Sequence, residues 1–270
     1  MSAHPHVVAC MPARNGERFV DATLASLASQ TYPNLEVLIS DDASTDATAE
    51  ICARYAASDS RFRLVQQTRR LGWIGNANCL LDAARGTYAF FAFHDDPLEP
   101  AYVTRLVEAL EARPTAVLAF SDMHAWGGVL EYRELEDVTD RVERARRVIR
   151  RCGHWWIPHR GVFRLQAART IGGLRRHLAG EYEADHPWTL RLAMAGEFVR
   201  VPEPLVHKAF GAGTLSAIWN RKPRPWQSAA VLLAAAREVR RARPPLAEEI
   251  ALHKELARFA AWALVNRRVF

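Results

Sequence analysis

Two rhythms of apolar and polar residues alternate along the first half of the chain. Residues 6–11 are apolar without a break after His6 and stop at Pro12, the pattern of a strand buried on both faces. Phe19, Leu24 and Leu27 then recur at helical spacing over residues 19–30, and Tyr32-Pro33-Asn34 ends that helix before a second strand at 35–40. The same reading predicts a helix near 45–57, a strand at 61–66, a helix near 74–84 and a strand at 88–93. Beyond these come a helix near 106–111, a strand at 117–121, a hairpin around Gly127-Gly128 and an arginine-rich helix near 135–151. Two more helices, near 227–243 and 246–267, are split by Pro244-Pro245. Strands separated by helices predict an α/β fold with a mostly parallel central sheet and helices on both faces. Ligands of such sheets bind beyond the carboxyl ends of the strands. Function is therefore expected in three polar loops, those after Met11, Ser40 and Phe93.

At 270 residues the chain can bury a core without disulfide staples. Cys10, Cys52, Cys79 and Cys152 are scattered, with no CxxC pair, and read as reduced, structural thiols. No leader-like segment and no span of about 20 apolar residues is found, so a cytoplasmic location is expected. The formal charge of +6 is uneven: residues 221–270 hold eleven Lys/Arg against four Glu. A nearly neutral main fold argues against nucleic acid as a partner. The basic C-terminal helices have two readings. They lie on a membrane surface as a peripheral contact, or the last helix buries Leu252, Leu256, Phe259 and Ala263 against the domain; packing is the favoured one.

Candidate chemistry is sharpest at His94-Asp95-Asp96-Pro97, directly after an apolar strand. Adjacent carboxylates repel each other unless a cation joins them, and magnesium or manganese bound through one or two carboxylates plus substrate phosphates meets that need. The plainer alternative is that one Asp caps a helix started by Pro97 and Pro100.

Three segments in order, Met11-Pro12-Ala13-Arg14-Asn15-Gly16-Glu17, Ser29-Gln30-Thr31-Tyr32-Pro33 and Asp41-Asp42-Ala43-Ser44-Thr45-Asp46, resemble the opening of the family 2 glycosyltransferases of GT-A fold. The resemblance continues through Leu71-Gly72 with Asn78, Gly86-Thr87-Tyr88 and Asp95-Asp96-Pro97-Leu98-Glu99-Pro100. Arg160-Gly161-Val162-Phe163-Arg164 with Ile171-Gly172-Gly173 is similar to the family's acceptor-side segment, and Asp185, six residues before Arg191, to its catalytic aspartate motif. The match runs over residues 7–216. It implies a GT-A domain over 1–220, with a nucleotide-sugar-binding half at 1–121 and an acceptor-side half at 122–220, followed by a basic helical appendage at 221–270.

The resemblance also implies roles. Pro12, Ala13, Arg14, Asn15, Asp41, Asp42, Asn78, His94 and Asp95 would bind the nucleotide-sugar donor. Asp95 and Asp96, with His207 as a further ligand after the strand at 201–205, would hold Mn2+ or Mg2+. Asp185 would be the base of an inverting transfer to an acceptor hydroxyl, which is too weak an acid to ionise unaided; the acceptor is a saccharide, a lipid-linked glycan or a small molecule. An N-cap role for Asp185 ahead of Pro187 and an ordinary hydrogen-bonded role for His207 are the structural alternatives. The chain departs from the family at Arg14, often aromatic, at Phe93 and Ala184, often acidic, and at Ala77, often arginine. His154, Trp155, Trp156 and His159 form an aromatic cluster suited either to a sugar face or to a core corner. A sugar-nucleotide pyrophosphorylase, which would need a glycine-rich loop after the first strand, and a non-catalytic nucleotide-sugar sensor are the rival functions.

Overall fold

The computed structural model describes residues 4–151, 158–208 and 225–265. Strands β1 (Val7–Ala13), β2 (Leu35–Asp41), β3 (Phe62–Gln66) and β4 (Tyr88–Phe91) alternate with helices α1 (Val20–Ala28), α2 (Thr48–Ser58) and α3 (Trp73–Ala83). β1 lies between β2 and β4 and pairs in parallel with both, and all its residues are buried. A fully apolar run is what such a position requires, because water reaches neither face. Pro12 sits in β1 opposite Ser40, just beyond the point where the β4 ladder ends at Cys10 and Phe91. Its missing N–H therefore costs the ladder nothing, and β1 runs two residues past the predicted stop.

The second half contains α4 (Tyr102–Ala112), β5 (Ala116–Ala125), β6 (Gly128–Leu130), α5 (Arg141–Ile149), β7 (Val162–Arg164), α6 (Leu165–Ile171), α7 (Asp185–Ala195) and β8 (Glu197–His207). Among the described residues one eight-stranded sheet has the order β3-β2-β1-β4-β7-β5-β6, with β8 paired to β5. The expectation of a mostly parallel sheet needs correction: the sheet is mixed. β1–β2, β1–β4, β2–β3 and β5–β8 are parallel, whereas β4–β7, β5–β7 and β5–β6 are antiparallel. β6 is reversed because a tight turn through Trp126 and Gly127, both at positive φ, joins it to β5. β7 is only three residues long and enters between β4 and β5 from the opposite end. Apolar periodicity carries no information about strand direction, so a short wedge of this kind is invisible to it.

α8 (Pro225–Arg241) and α9 (Leu246–Val265) pack on each other and on α7 and α5. α9 buries Leu252, Leu256 and Phe259, as the packing reading expects; the side chain of Ala263 lies outside the described residues. Arg150 and Glu255 join α5 to α9 at 2.8 Å. No helix among the described residues is long and apolar enough to cross a membrane. Cys10, Cys52 and Cys79 are free thiols, and Cys152 lies outside the described residues, as do His154, Trp155 and Trp156.

Candidate active site

The three predicted loops meet at the carboxyl edge of the sheet. The backbone N–H of Asp42 donates to Ala13 O at 2.9 Å, and the Arg14 guanidinium donates to the carbonyls of Asp42 and Ala43. Asn15 accepts from the Thr45 N–H at 2.9 Å and donates its own N–H to Ser44 Oγ at 3.0 Å. The Asp41 carboxylate accepts from the N–H and hydroxyl of Ser44, and that of Asp42 from the N–H groups of Leu71 and Gly72. Both carboxylates are buried and are held by hydrogen bonds, as a buried charge requires. The third loop closes on the first through His94, whose ring lies so near Gly16 that a Cβ there would come within 2.4 Å of it. Asn15 and Ala43 have φ of 45° and 53°, left-handed conformations that non-glycine residues adopt at a cost and that cluster at ligand sites.

The acidic pair is compensated by two long cations. Lys208 Nζ donates to Asp95 Oδ2 at 2.9 Å and to Asp96 Oδ1 at 2.7 Å, and Arg160 Nε donates to Asp96 Oδ2 at 2.6 Å. Burial alone would raise the pKa of Asp95, but the Lys208 ammonium, with His94 and Arg160 around it, brings it below the ordinary value. Arg160 also lies 5.3 Å over the Phe93 ring, so the residue that replaces a common family acid supports the cation that neutralises the pair.

Asp185 stands at the first turn of α7, after Glu183 at φ 46°. Its pKa is raised because burial penalises the charged form, with Arg160 opposing. A fifth of the side chain, 21%, remains exposed, so the carboxylate is largely enclosed by protein yet still reached by solvent. His159 connects it to the acidic pair. Arg160 Nη1 lies 2.9 Å from His159 Nε2, and a guanidinium only donates, so Nε2 accepts and Nδ1 carries the ring proton. That Nδ1 is buried, has no hydrogen-bond partner and points to Asp185 Oδ2 at 3.4 Å. Burial, then Arg160 and Lys208, depress the His159 pKa far below its ordinary value. The contact is thus a neutral imidazole beside a carboxylate, and not an ion pair.

Two expected site residues have other partners. Asn78 spends its amide on the backbone of Leu174, donating to its carbonyl at 2.9 Å and accepting from its N–H at 2.8 Å, which ties α3 to the segment after α6. His207 does not join Asp95 and Asp96 in one ligand set. Its Nε2 is 2.6 Å from Glu99 Oε1, and its ring stacks on His124 at 4.6 Å. Successive side chains of a strand point to opposite faces, so His207 turns away from the side on which Lys208 meets the acidic pair. Glu99, His124 and His207 are the one group among the described residues whose three ligand atoms lie within 4.8 Å of one another, a donor set able to take a divalent cation. Asp95 and Asp96 offer the hard oxygens that Mg2+ or Mn2+ prefers, but a dication there has to displace the Lys208 ammonium. Lys208 carried no sequence signal beyond its place next to His207, and His159 stood only as part of an aromatic cluster.

The comparisons with known proteins give this fold and these loops a family. The family model for glycosyl transferase family 2 matches residues 8–165; the chain belongs to that family. Putative glycosyltransferase EpsH of Bacillus subtilis is 35% identical over 104 residues, 38% of this chain and 30% of EpsH. Putative teichuronic acid biosynthesis glycosyltransferase TuaG of the same species is 30% identical over 112 residues, 42% of this chain and 44% of TuaG. Matched regions thus span less than half of these relatives. TarS 1-349 of S. aureus, solved in complex with UDP-GlcNAc, superposes with a TM-score of 0.75 at 18% identity, covering 94% of this chain and 71% of that one. Mannosyltransferase PcManGT from Pyrobaculum calidifontis, in complex with GDP-Man and Mn2+, gives 0.60 at 19% identity, covering 98% of this chain and 76% of that one. Such distant structures establish the shared GT-A-like fold.

Proposed function

We propose that this chain transfers a sugar from a nucleotide-diphosphate sugar to an acceptor hydroxyl with inversion, in the synthesis of a polysaccharide or glycoconjugate. The observation that supports this most is the continuous run Asp185, His159, Arg160, Asp96, with Asp95 joined to Asp96 through Lys208. It brings a carboxylate of raised pKa to the same cleft as an acidic pair at a strand end, and so brings a base to a diphosphate site. Pro12, Ala13, Arg14, Asn15, Asp41 and Asp42 receive the nucleoside, and His94 and Asp95 reach toward ribose and diphosphate. Asp185 accepts the proton of the acceptor hydroxyl as the new bond forms, and direct displacement needs no second carboxylate nucleophile.

Asp95 and Asp96 would hold the Mg2+ or Mn2+ of this reading once Lys208 moves off them. A bound dication supplies Lewis-acid stabilisation of the leaving diphosphate; Arg160, one bond from Asp96 and near Asp185, stays in place to add positive charge. The acceptor is a saccharide, a lipid-linked glycan or a small molecule. Trp226 and Leu233, exposed on α8, form the surface that a membrane-borne acceptor would meet, in a protein that otherwise works in the cytoplasm.

A thermal-shift panel of UDP-, GDP-, dTDP- and CDP-sugars with and without manganese tests the reading, because a ligand bound only by the native state raises its stability. One nucleotide class should raise the melting temperature, and more so with manganese. Indifference to every member of the panel would contradict sugar transfer.

A further inference from the structure

Next to the turn that carries Asp185 lies a pocket that the proposed chemistry does not use. It is a pocket of about 60 Å³ between the segment after α6, helix α7 and helix α8. A single water needs roughly 10–15 Å³, so the space admits a group of several heavy atoms. Ala184, the N-cap of α7, with Pro187, Trp188 and Arg191 of α7 form one side, and α8 supplies Ala234, Arg237, Glu238 and Arg241. Each set is one helical face, at i, i+3, i+4 and i+7. Asp185 occupies the neighbouring face of the same first turn, so the pocket sits next to the base without containing it.

Five guanidiniums, those of Arg175, Arg176, Arg191, Arg237 and Arg241, line this space against one carboxylate, Glu238. Glu238 is buried and is already shared: Arg175 reaches it at 2.6 Å, Arg241 at 2.8 Å and Arg191 at 3.2 Å. Arg176 pairs with Glu181 at 2.8 Å. Two carboxylates therefore answer five positive charges, and Arg237 has no hydrogen-bond or ion-pair partner among the described residues. Arg191 is the most telling member. Its side chain is only 4% exposed; its Nη1 and Nη2 donate to the carbonyls of Ile171 and Gly173, while its Nε has no hydrogen-bond partner, since Glu238 lies close but out of line. Burial, with Arg175 and Arg241 adding to it and Glu238 opposing, lowers the Arg191 pKa to about 10. An excess of positive side chains around one pocket favours an anion there, and planar guanidinium forks match phosphate oxygens in pairs.

We propose that the pocket between α7 and α8 binds a phosphate group, and that the acceptor is a phosphorylated molecule held there while its hydroxyl meets Asp185. The first half stands on the pocket alone; the second rests on the proposed sugar transfer.

Isothermal titration of inorganic phosphate into the full chain tests it, comparing the wild type with Arg237→Glu and with Arg240→Glu. Arg240 is an exposed residue of the same helix that does not line the pocket, so both variants change the net charge equally. Saturable binding is expected in the wild type, weakened about tenfold or more in Arg237→Glu through loss of a charge-assisted contact, and nearly unchanged in Arg240→Glu. Absence of saturable binding, or an equal loss in both variants, overturns the proposal. Vesicles of phosphatidylcholine with and without phosphatidylglycerol then separate the sources. Loss of phosphatidylglycerol-dependent vesicle binding in Arg237→Glu assigns the phosphate to a lipid headgroup. Unaltered vesicle binding beside lost phosphate binding assigns it to a soluble ester. A chain that binds phosphate through Arg237 but never consumes a nucleotide sugar keeps the pocket and loses the acceptor assignment.

Discussion

Burial raises the pKa of Asp185 against the opposing Arg160 guanidinium, so ionising this carboxylate costs more in the folded chain than in the unfolded one. The contribution of such a group to stability is complete below its unfolded pKa and is lost as pH rises through the raised folded value. At neutral pH the charged Asp185 therefore destabilises the fold. Asp185→Asn should melt no lower than the wild type, and at a higher temperature at neutral pH, with the difference vanishing in acid; melts at several pH values check this. The same shift sets the activity profile, because the base acts only when ionised. Transfer should fall on acidification at a pH above the ordinary carboxylate range, and a pH–rate profile of kcat/KM with its acid limb in the ordinary range would argue against Asp185. Lys208 carries a separate prediction. Lys208→Met leaves two buried carboxylates short of a partner, which should cost about 3–5 kcal/mol in metal-free urea unfolding, with manganese restoring part of the loss. An identical loss with and without manganese would mean that no dication takes the place of the ammonium. Asp95, Asp96 and Asp185 were legible in the sequence because each sits in a short local motif. Their partners were not, since Lys208 reaches Asp95 across 113 residues and contacts of that span leave no local pattern. Strand parity, which sends His207 and Lys208 to opposite faces, was the available signal.

Among the elements, the alternation of β1 to β4 with α1 to α3 was readable from periodicity, because buried parallel strands are continuous apolar runs and their crossover helices keep a polar face. β7 was not, since three residues hold no period, and with it went the mixed character of the sheet. The consequence for the site is direct: β7 follows His159 and Arg160 and carries them to the edge where β4 presents Asp95 and Asp96. Asn78 shows the same limit in the other direction. Its family motif suggested donor contact, while its amide joins α3 to Leu174 by two hydrogen bonds. Asn78→Ala should leave both backbone groups of Leu174 unpaired and cost about 1–3 kcal/mol, seen as faster amide exchange at Leu174 and a lower urea midpoint. Unchanged exchange there would return Asn78 to the donor site.

For the molecule as a whole, the charge imbalance of residues 221–270 was plain in the sequence, but what those helices touch was not. Their contacts with α5 and α7 make them part of the fold. Leu252, 1% exposed, gives the check: Leu252→Ala should cost about 2–5 kcal/mol of global stability, whereas a segment used only to rest on a membrane would lose almost none. The central claim joins that fold to one carboxylate, and the most direct measurement is nucleotide release from the donor identified by the thermal-shift panel, in the wild type and in Asp185→Asn, beside the affinity of each for that donor. The account predicts unchanged donor affinity with turnover reduced by about 10²–10⁴ in the variant. Equal turnover in the two proteins would contradict it.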